Sequence, residues 1–274
     1  MTTLNKIAGN KLAGNKIAGN KLAGNKLAGN KLAGNKLAIN MAGAADLMTT
    51  ADGREVLTYI VSCALPEGVT LTGENAGVTY EFFGELGLAP SWTDHPLKRA
   101  GRGWVSACLF SRVNLYDVAL PISLRGPTAA LSTTADERAS WSVEEGAFYG
   151  EFFTPDNEPI NWIACRGEGQ ASGELGELVN RDCTEPDPAD PTRTLCGFHY
   201  AGDCGDFAPV HACKTFSTTG TFYDKCSGTV DADDDADDDD DDDDHGHGHD
   251  HRGHDHQHHA PMYRQIITTY VTPS

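Results

Sequence analysis

A chain of 274 residues with a net charge of −19 has room for one ordinary domain with appendages, or for two small domains. Its charge is segregated: residues 1–40 carry seven lysines and no acid, residues 231–259 carry fourteen aspartates and one arginine, and residues 41–230 hold 26 acids against 12 bases. So acidic a body repels phosphate, which excludes DNA and RNA as expected partners, and no stretch reaches the roughly 18 apolar residues of a membrane helix.

Seven pentads of the type NKLAG run from Asn5 to Ile39, with Ile7, Leu12, Ile17, Leu22, Leu27, Leu32 and Leu37 in one phase (residues 1–39 as a unit). On an α-helix a step of five turns each apolar residue by about 140°, so no face collects them all. The six glycines of the array disfavour a helix further. On a flat strand an odd period sends successive leucines to opposite faces. A backbone that turns a corner every five residues puts every leucine inside. The array resembles the pentapeptide-repeat family, which implies a right-handed square β-solenoid. It departs from the family where Asn20 and Lys21 precede Leu22, since small residues and Asn or Asp are favoured there. Seven pentads make fewer than two coils of such a solenoid, so the array is expected to dock on the body or to stay disordered. A slippage repeat without function is the competing reading. The lysines are also expected to attract the Asp-rich tract in cis, an attraction weakened by salt.

Residues 40–55 read as a small-residue linker and residues 56–228 as the body. EVLTYIVSCALPEG, from Glu55, is rich in β-branched and aromatic residues and reads as a strand. VTYEFFGELGLAP (Val78 to Pro90) reads as a second strand and turn. RGWVSACLFSRVN places Val105, Leu109 and Val113 four residues apart, which predicts one short buried helix. VALPISLRG (Val118 to Gly126) returns to strand character, with Pro121 marking an edge or a bulge. GAFYGEFF and INWIACRG follow as short strands, and from Asn180 to Ser227 periodicity gives way to cysteines. The fold class expected is therefore a β-rich, all-β or α+β, disulfide-stapled domain.

Eight cysteines, Cys63, Cys108, Cys165, Cys183, Cys196, Cys204, Cys213 and Cys226, set among Gly, Pro and Asp, point to four disulfides in an oxidising compartment, with connectivity open. Structural zinc is the alternative, through Cys196-x2-His199 and His211-x-Cys213, but no paired CxxC knuckle appears. Export calls for a signal segment, and Met1-Thr2-Thr3-Leu4 runs into the repeats without an apolar region. The expectation is a start upstream of Met1 and an extracellular, cell-surface or periplasmic location; a trimmed chain, or free thiols in a cytosol, are the alternatives. The phrases WVSACL (Trp104 to Leu109), SLRG (Ser123 to Gly126) and EEGAFYG (Glu144 to Gly150) resemble a group of secreted, cysteine-rich bacterial proteins of uncharacterised activity. That resemblance, over about residues 56–272, implies export and brings no catalytic residues.

Near the C-terminus lies DADDDADDDDDDDDHGHGHDHRGHDHQHH, after which MYRQIITTYVTPS reads as a β-strand. A strand there must pair with something, so residues 229–260 read as a disordered loop inserted in the domain, and residues 261–274 as a strand returning to it. A flexible chain of that length reaches roughly 30 Å. His245, His247, His249, His251, His254, His256, His258 and His259, with Asp250 and Asp255, offer overlapping ligand sets; imidazole suits Zn, Ni or Cu, and binding should fade near pH 6. The Asp run suits loose Ca²⁺ binding but lacks the spacing of an EF-hand. A solvated acidic spacer is the bland reading of both.

No GxSxG, HExxH, P-loop or dinucleotide fingerprint occurs, and nothing calls for an organic cofactor. Outside the His-rich tract, His95, His199 and His211 remain as general bases, and a Cys nucleophile would need one unpaired thiol. Glu151, Asp156 and Glu158 form a candidate carboxylate cluster, while Trp92, Trp104, Trp141 and Trp162 are either core or a sugar-binding face. The sequence thus favours an exported binding or structural protein with a metal-binding loop. A metal-sequestration protein, or a hydrolase-type enzyme without a motif, are the rivals.

Overall fold

A computed structural model describes residues 26, 28–34, 36–37, 44–115, 120–155, 161–171, 181–205, 212–217, 221–228 and 261–273. Among them no helix is long and apolar enough to cross a membrane. The architecture is α+β in three layers: helices, a seven-stranded mixed sheet, and a three-stranded sheet.

The pentad array departs from expectation where it is described. Residues 28–33 are helical (α1), and no β-solenoid occurs among the described residues. The rotation of five-residue steps matters only over several turns. Within one turn, Gly29, Leu32 and Ala33 share a buried face, and a Cβ on Gly29 would lie 2.4 Å from Phe152 Cε1. The glycine that weakens the helix in isolation is what lets it approach the core. Leu37 is buried beyond the helix end, its N–H donating to Trp92 O at 2.8 Å. This part of the array docks on the body.

The expected linker is also structured: α2 spans Ala44–Met48, and α3 starts at Ala51. The expected first strand is a correction, for α3 (Ala51–Ala64) is a helix. Thr50 caps it by accepting from Gly53 N at 2.9 Å, and Val56, Leu57, Ile60, Val61 and Ala64 are buried on it at helical spacing. Burial of this face outweighs the modest helix penalty of its β-branched residues. The expected buried helix is present as α4 (Arg99–Ser111), joined to α3 by Cys63–Cys108. Between them β1 (Thr70–Asn75) and β2 (Val78–Phe83) form a hairpin. Its two-residue turn holds Ala76 and Gly77 at positive φ.

The main sheet comprises β3 (Ser123–Arg125), β4 (Val143–Glu151), β5 (Asn161–Arg166), β6 (Pro186–Asp187), β7 (Asp190–Thr194), β8 (His199–Asp203) and β12 (Ile267–Val271), in the order β3-β12-β4-β5-β8-β7-β6. All pairings are antiparallel except β5 with β8. β3 is shorter than VALPISLRG suggested. It begins after Pro121 and forms one edge of the sheet. The C-terminal strand pairs as expected, between β3 and β4, and all five of its residues are buried. Short helices α5 (Ala135–Ser140) and α6 (Glu168–Ala171) flank β4 and β5 in the chain.

Alternation along the sheet builds two cores. Phe148, Trp162 and Ala164 join the helical layer's core. Ala147, Tyr149, Ile163 and Cys165 face the opposite way. That second face is covered by β9 (Cys213–Phe216), β10 (Tyr223–Ser227) and β11 (Met262–Tyr263), in the order β11-β10-β9. All eight cysteines pair, as Cys63–Cys108, Cys165–Cys204, Cys183–Cys196 and Cys213–Cys226.

Candidate functional site

The His/Asp tract enters and leaves the body at one point. Gly228 N donates to Pro261 O at 2.7 Å, and behind it Ser227 faces Met262 and Cys226 faces Tyr263 in antiparallel register. The residues that flank 229–260 are therefore neighbours at the end of a hairpin stem. His245, His247, His249, Asp250, His251, His254, Asp255, His256, His258, His259 and the Asp run lie outside the described residues.

Four sets of contacts hold the stem. On its far side β10 pairs with β9, where Cys226 sits opposite Cys213 and is bonded to it. Ser227 donates from N and Oγ to Ala212 O, at 2.8 and 3.0 Å. Tyr149 of β4 donates its hydroxyl to Ser227 O at 2.8 Å, and its ring lies 5.3 Å from that of Tyr263. Burial raises the Tyr149 phenol, so it stays protonated and a donor. Beneath these, the Cys165–Cys204 bridge touches Cys213–Cys226, with Cys165 Sγ 3.7 Å from Cys213 Sγ. Asp224, Lys225, Arg264 and Pro127 line a surface depression beside the stem.

A second constellation is Glu144 of β4. A β-bulge passes Glu145 over, so that Tyr270 faces Glu144 and Thr269 faces Gly146. A Cβ at Gly146 would lie 2.3 Å from Cys165 O, so the close approach needs glycine. The bulge aims the two acids at opposite layers. Glu145 meets the buried Arg181, which also donates to Ser111 O and Val113 O. Glu144 accepts from Tyr223 at 3.0 Å and from Tyr270 at 3.5 Å. The Arg125 guanidinium lies 3.6 Å over the Tyr270 ring. Burial pushes the Glu144 carboxyl up to about 7 against these donors, and burial together with Glu144 raises Tyr223 and Tyr270. Glu144 can thus hold or yield a proton near neutrality. The sequence did carry the signal: adjacent acids on a strand apolar on both faces must send one each way.

The remaining sequence candidates scatter. Trp92 and Trp162 are core, 5.7 Å from Phe153 and 5.4 Å from Phe110 between ring centres. Trp104 packs against the same core and Trp141 accepts from Arg125, so the four tryptophans form no common face. Glu151 accepts from Phe153 N at 2.8 Å, as a turn cap. His95 is exposed and His199 half-buried opposite Ile163; Asp156, Glu158 and His211 lie outside the described residues. No cysteine is free to act as a nucleophile. Compared with protein-family models, curated proteins and solved structures, the chain matches none.

Proposed function

We propose that this is an exported binding protein whose stapled body is a scaffold for residues 229–260, and that this segment binds Zn²⁺, Ni²⁺ or Cu²⁺ through its histidines. The observation that carries the reading is the closed stem, Gly228 to Pro261 at 2.7 Å behind the Cys213–Cys226 bridge. A tract that returns to its point of departure leaves the fold independent of its length and composition. Imidazoles at alternate positions supply neutral nitrogen donors to borderline metals. Four disulfides that use every cysteine favour an oxidising compartment. The resemblance to secreted bacterial proteins supports the same location.

Replacing residues 229–260 by Asn-Gly is the test, because this pair closes a two-residue hairpin. The expected variant keeps its near-ultraviolet circular dichroism and all four disulfides, and loses the Zn²⁺ and Ni²⁺ adducts seen by native mass spectrometry. In the full chain those adducts fade as pH falls through about 6. Undiminished adducts in the variant, or a body that no longer folds, would overturn the reading.

A further inference from the structure

The two bridges behind the stem belong to different layers. Cys165–Cys204 ties β5 to the residue following β8 within the main sheet, and Cys213–Cys226 ties β9 to β10 in the small sheet. Neither crosses between the layers, yet they meet there. Cys165, Cys204 and Cys213 have sulfurs that all lie within 4.8 Å of one another, every one of them buried. Cys226, also buried, carries the sulfur bonded to Cys213. No thiol hydrogen exists in either bridge, so the 3.7 Å separation of Cys165 and Cys213 Sγ is van der Waals contact.

That separation has a second meaning. Zinc in a tetrathiolate sits about 2.3 Å from each sulfur, which places neighbouring sulfurs about 3.8 Å apart on the edges of a tetrahedron. The edge from Cys165 to Cys213 is already at that length. The sulfurs within each bridge must part by about 2 Å, and the Cys226 sulfur, which lies outside the group within 4.8 Å, must turn toward Cys165 and Cys204, changes that side-chain rotation supplies. The four cysteines come from four different strands or strand ends, and the partners across the interface are held by Tyr149–Ser227 and by Tyr223 N to Thr268 Oγ1 at 3.0 Å. The backbone framework therefore does not rest on the bridges alone.

We propose that, when both bridges are reduced, Cys165, Cys204, Cys213 and Cys226 bind one Zn²⁺ as a tetrathiolate that links the two sheets. The chemistry balances with a dithiol or phosphine as reductant. Two equivalents supply the four electrons that, with four protons, convert two disulfides into four thiols. Binding then forms four Zn–S bonds and releases four protons. Two equivalents of a low-molecular-weight disulfide take up the four electrons, with four protons, to become four thiols, re-form both bridges and expel the ion as Zn²⁺. The stem thus has two alternative staples, disulfide in an oxidising compartment and zinc in a reducing one, and only the second fastens the small sheet to the main sheet.

Cobalt separates this site from the histidine tract. Reduced full-length protein is titrated anaerobically with Co²⁺ in phosphine, and the near-ultraviolet thiolate-to-cobalt charge-transfer band is followed. Imidazole and carboxylate ligands do not produce that band. The result expected is one thiolate-bound Co²⁺ per chain, displaced by one equivalent of Zn²⁺, with the band absent from the oxidised protein. It is retained in Cys63→Ser/Cys108→Ser and in Cys183→Ser/Cys196→Ser, and at least halved in Cys165→Ser or Cys213→Ser. A reduced wild-type chain without the band overturns the proposal, and this arm needs no substitution that could itself unfold the protein. A band unchanged in Cys165→Ser/Cys213→Ser overturns it equally. Loss of the loop's metal binding leaves the band untouched, so this proposal and the loop reading fail separately.

Discussion

Replacing Glu144 by Gln isolates one buried proton. The carboxyl titrates at about 7 in the folded chain against an ordinary value of 4.5, chiefly because burial disfavours its charge. The groups that face it are Tyr223 from β10, Tyr270 from β12, Arg125 from β3 and Glu168 from α6, and none reverses that effect. For an acid raised on folding, the folded state holds its proton where the unfolded state has lost it. Stability is therefore complete below about 4.5 and declines as pH rises to about 7. At ~1.4 kcal/mol for each pH unit, the window is worth about 3 kcal/mol at most. Glutamine has no such proton and keeps an oxygen for Tyr223. Urea unfolding followed by tryptophan fluorescence, with Trp92 and Trp162 buried as reporters, measures both proteins from about pH 4.5 to 8. The stability of Glu144→Gln relative to wild type should rise by about 3 kcal/mol across that range. A difference that does not change with pH refutes the account.

Two further substitutions test the packing. Arg181→Met leaves buried Glu145 with the Thr269 hydroxyl as its remaining side-chain partner among the described residues, and should cost about 3–5 kcal/mol in denaturant unfolding, most of it recovered in Arg181→Met/Glu145→Leu. Equal losses in the single and double variants would show that the charge pair is not the cause. Gly29→Val places methyl groups where a Cβ already lies 2.4 Å from Phe152, so α1 should lift from the body, with a loss of about 1–3 kcal/mol and faster tryptic cleavage after Lys31 and Lys36. Unaltered cleavage would mean that α1 does not need the close approach.

What the sequence revealed followed local rules, and what it hid depended on partners. Val105, Leu109 and Val113 announced α4 because a single helical face suffices to read it. Pro121 left an edge or a bulge open, of which β3 is the edge, and a strand after the His/Asp tract announced a place in the sheet. α3 was misread because the β-branched and aromatic residues of EVLTYIVSCA were weighed above the helical spacing of Val56, Leu57, Ile60, Val61 and Ala64. Thr50 and Asp52, a cap and a first-turn acid, were the better guide. Docking was one of two outcomes expected of the array, and the helix of α1 was not among them, since one turn at Gly29, Leu32 and Ala33 does not reveal the mismatch of a five-residue repeat. The disulfide count was legible from composition. Pairing was not, because Cys165 meets Cys204, 39 residues on, only where β5 and β8 pair in the folded sheet. The stem was half legible: the loop was inferred from the returning strand, whereas the hydrogen bond that shuts it was not.

β12 follows every other strand in chain order, yet it lies between β3 and β4, with Thr269 opposite Leu124. A nascent chain that has emerged through β10 still lacks the strand that joins β3 to the rest of the sheet. Its central edge on β4, a row of unpaired amides, has to wait for some forty further residues, most of them aspartate and histidine. Completion of the main sheet is in that sense deferred until Ile267–Val271 has been made. The charged tract that separates β11 and β12 from the other strands carries fourteen aspartates, and like charge repels like.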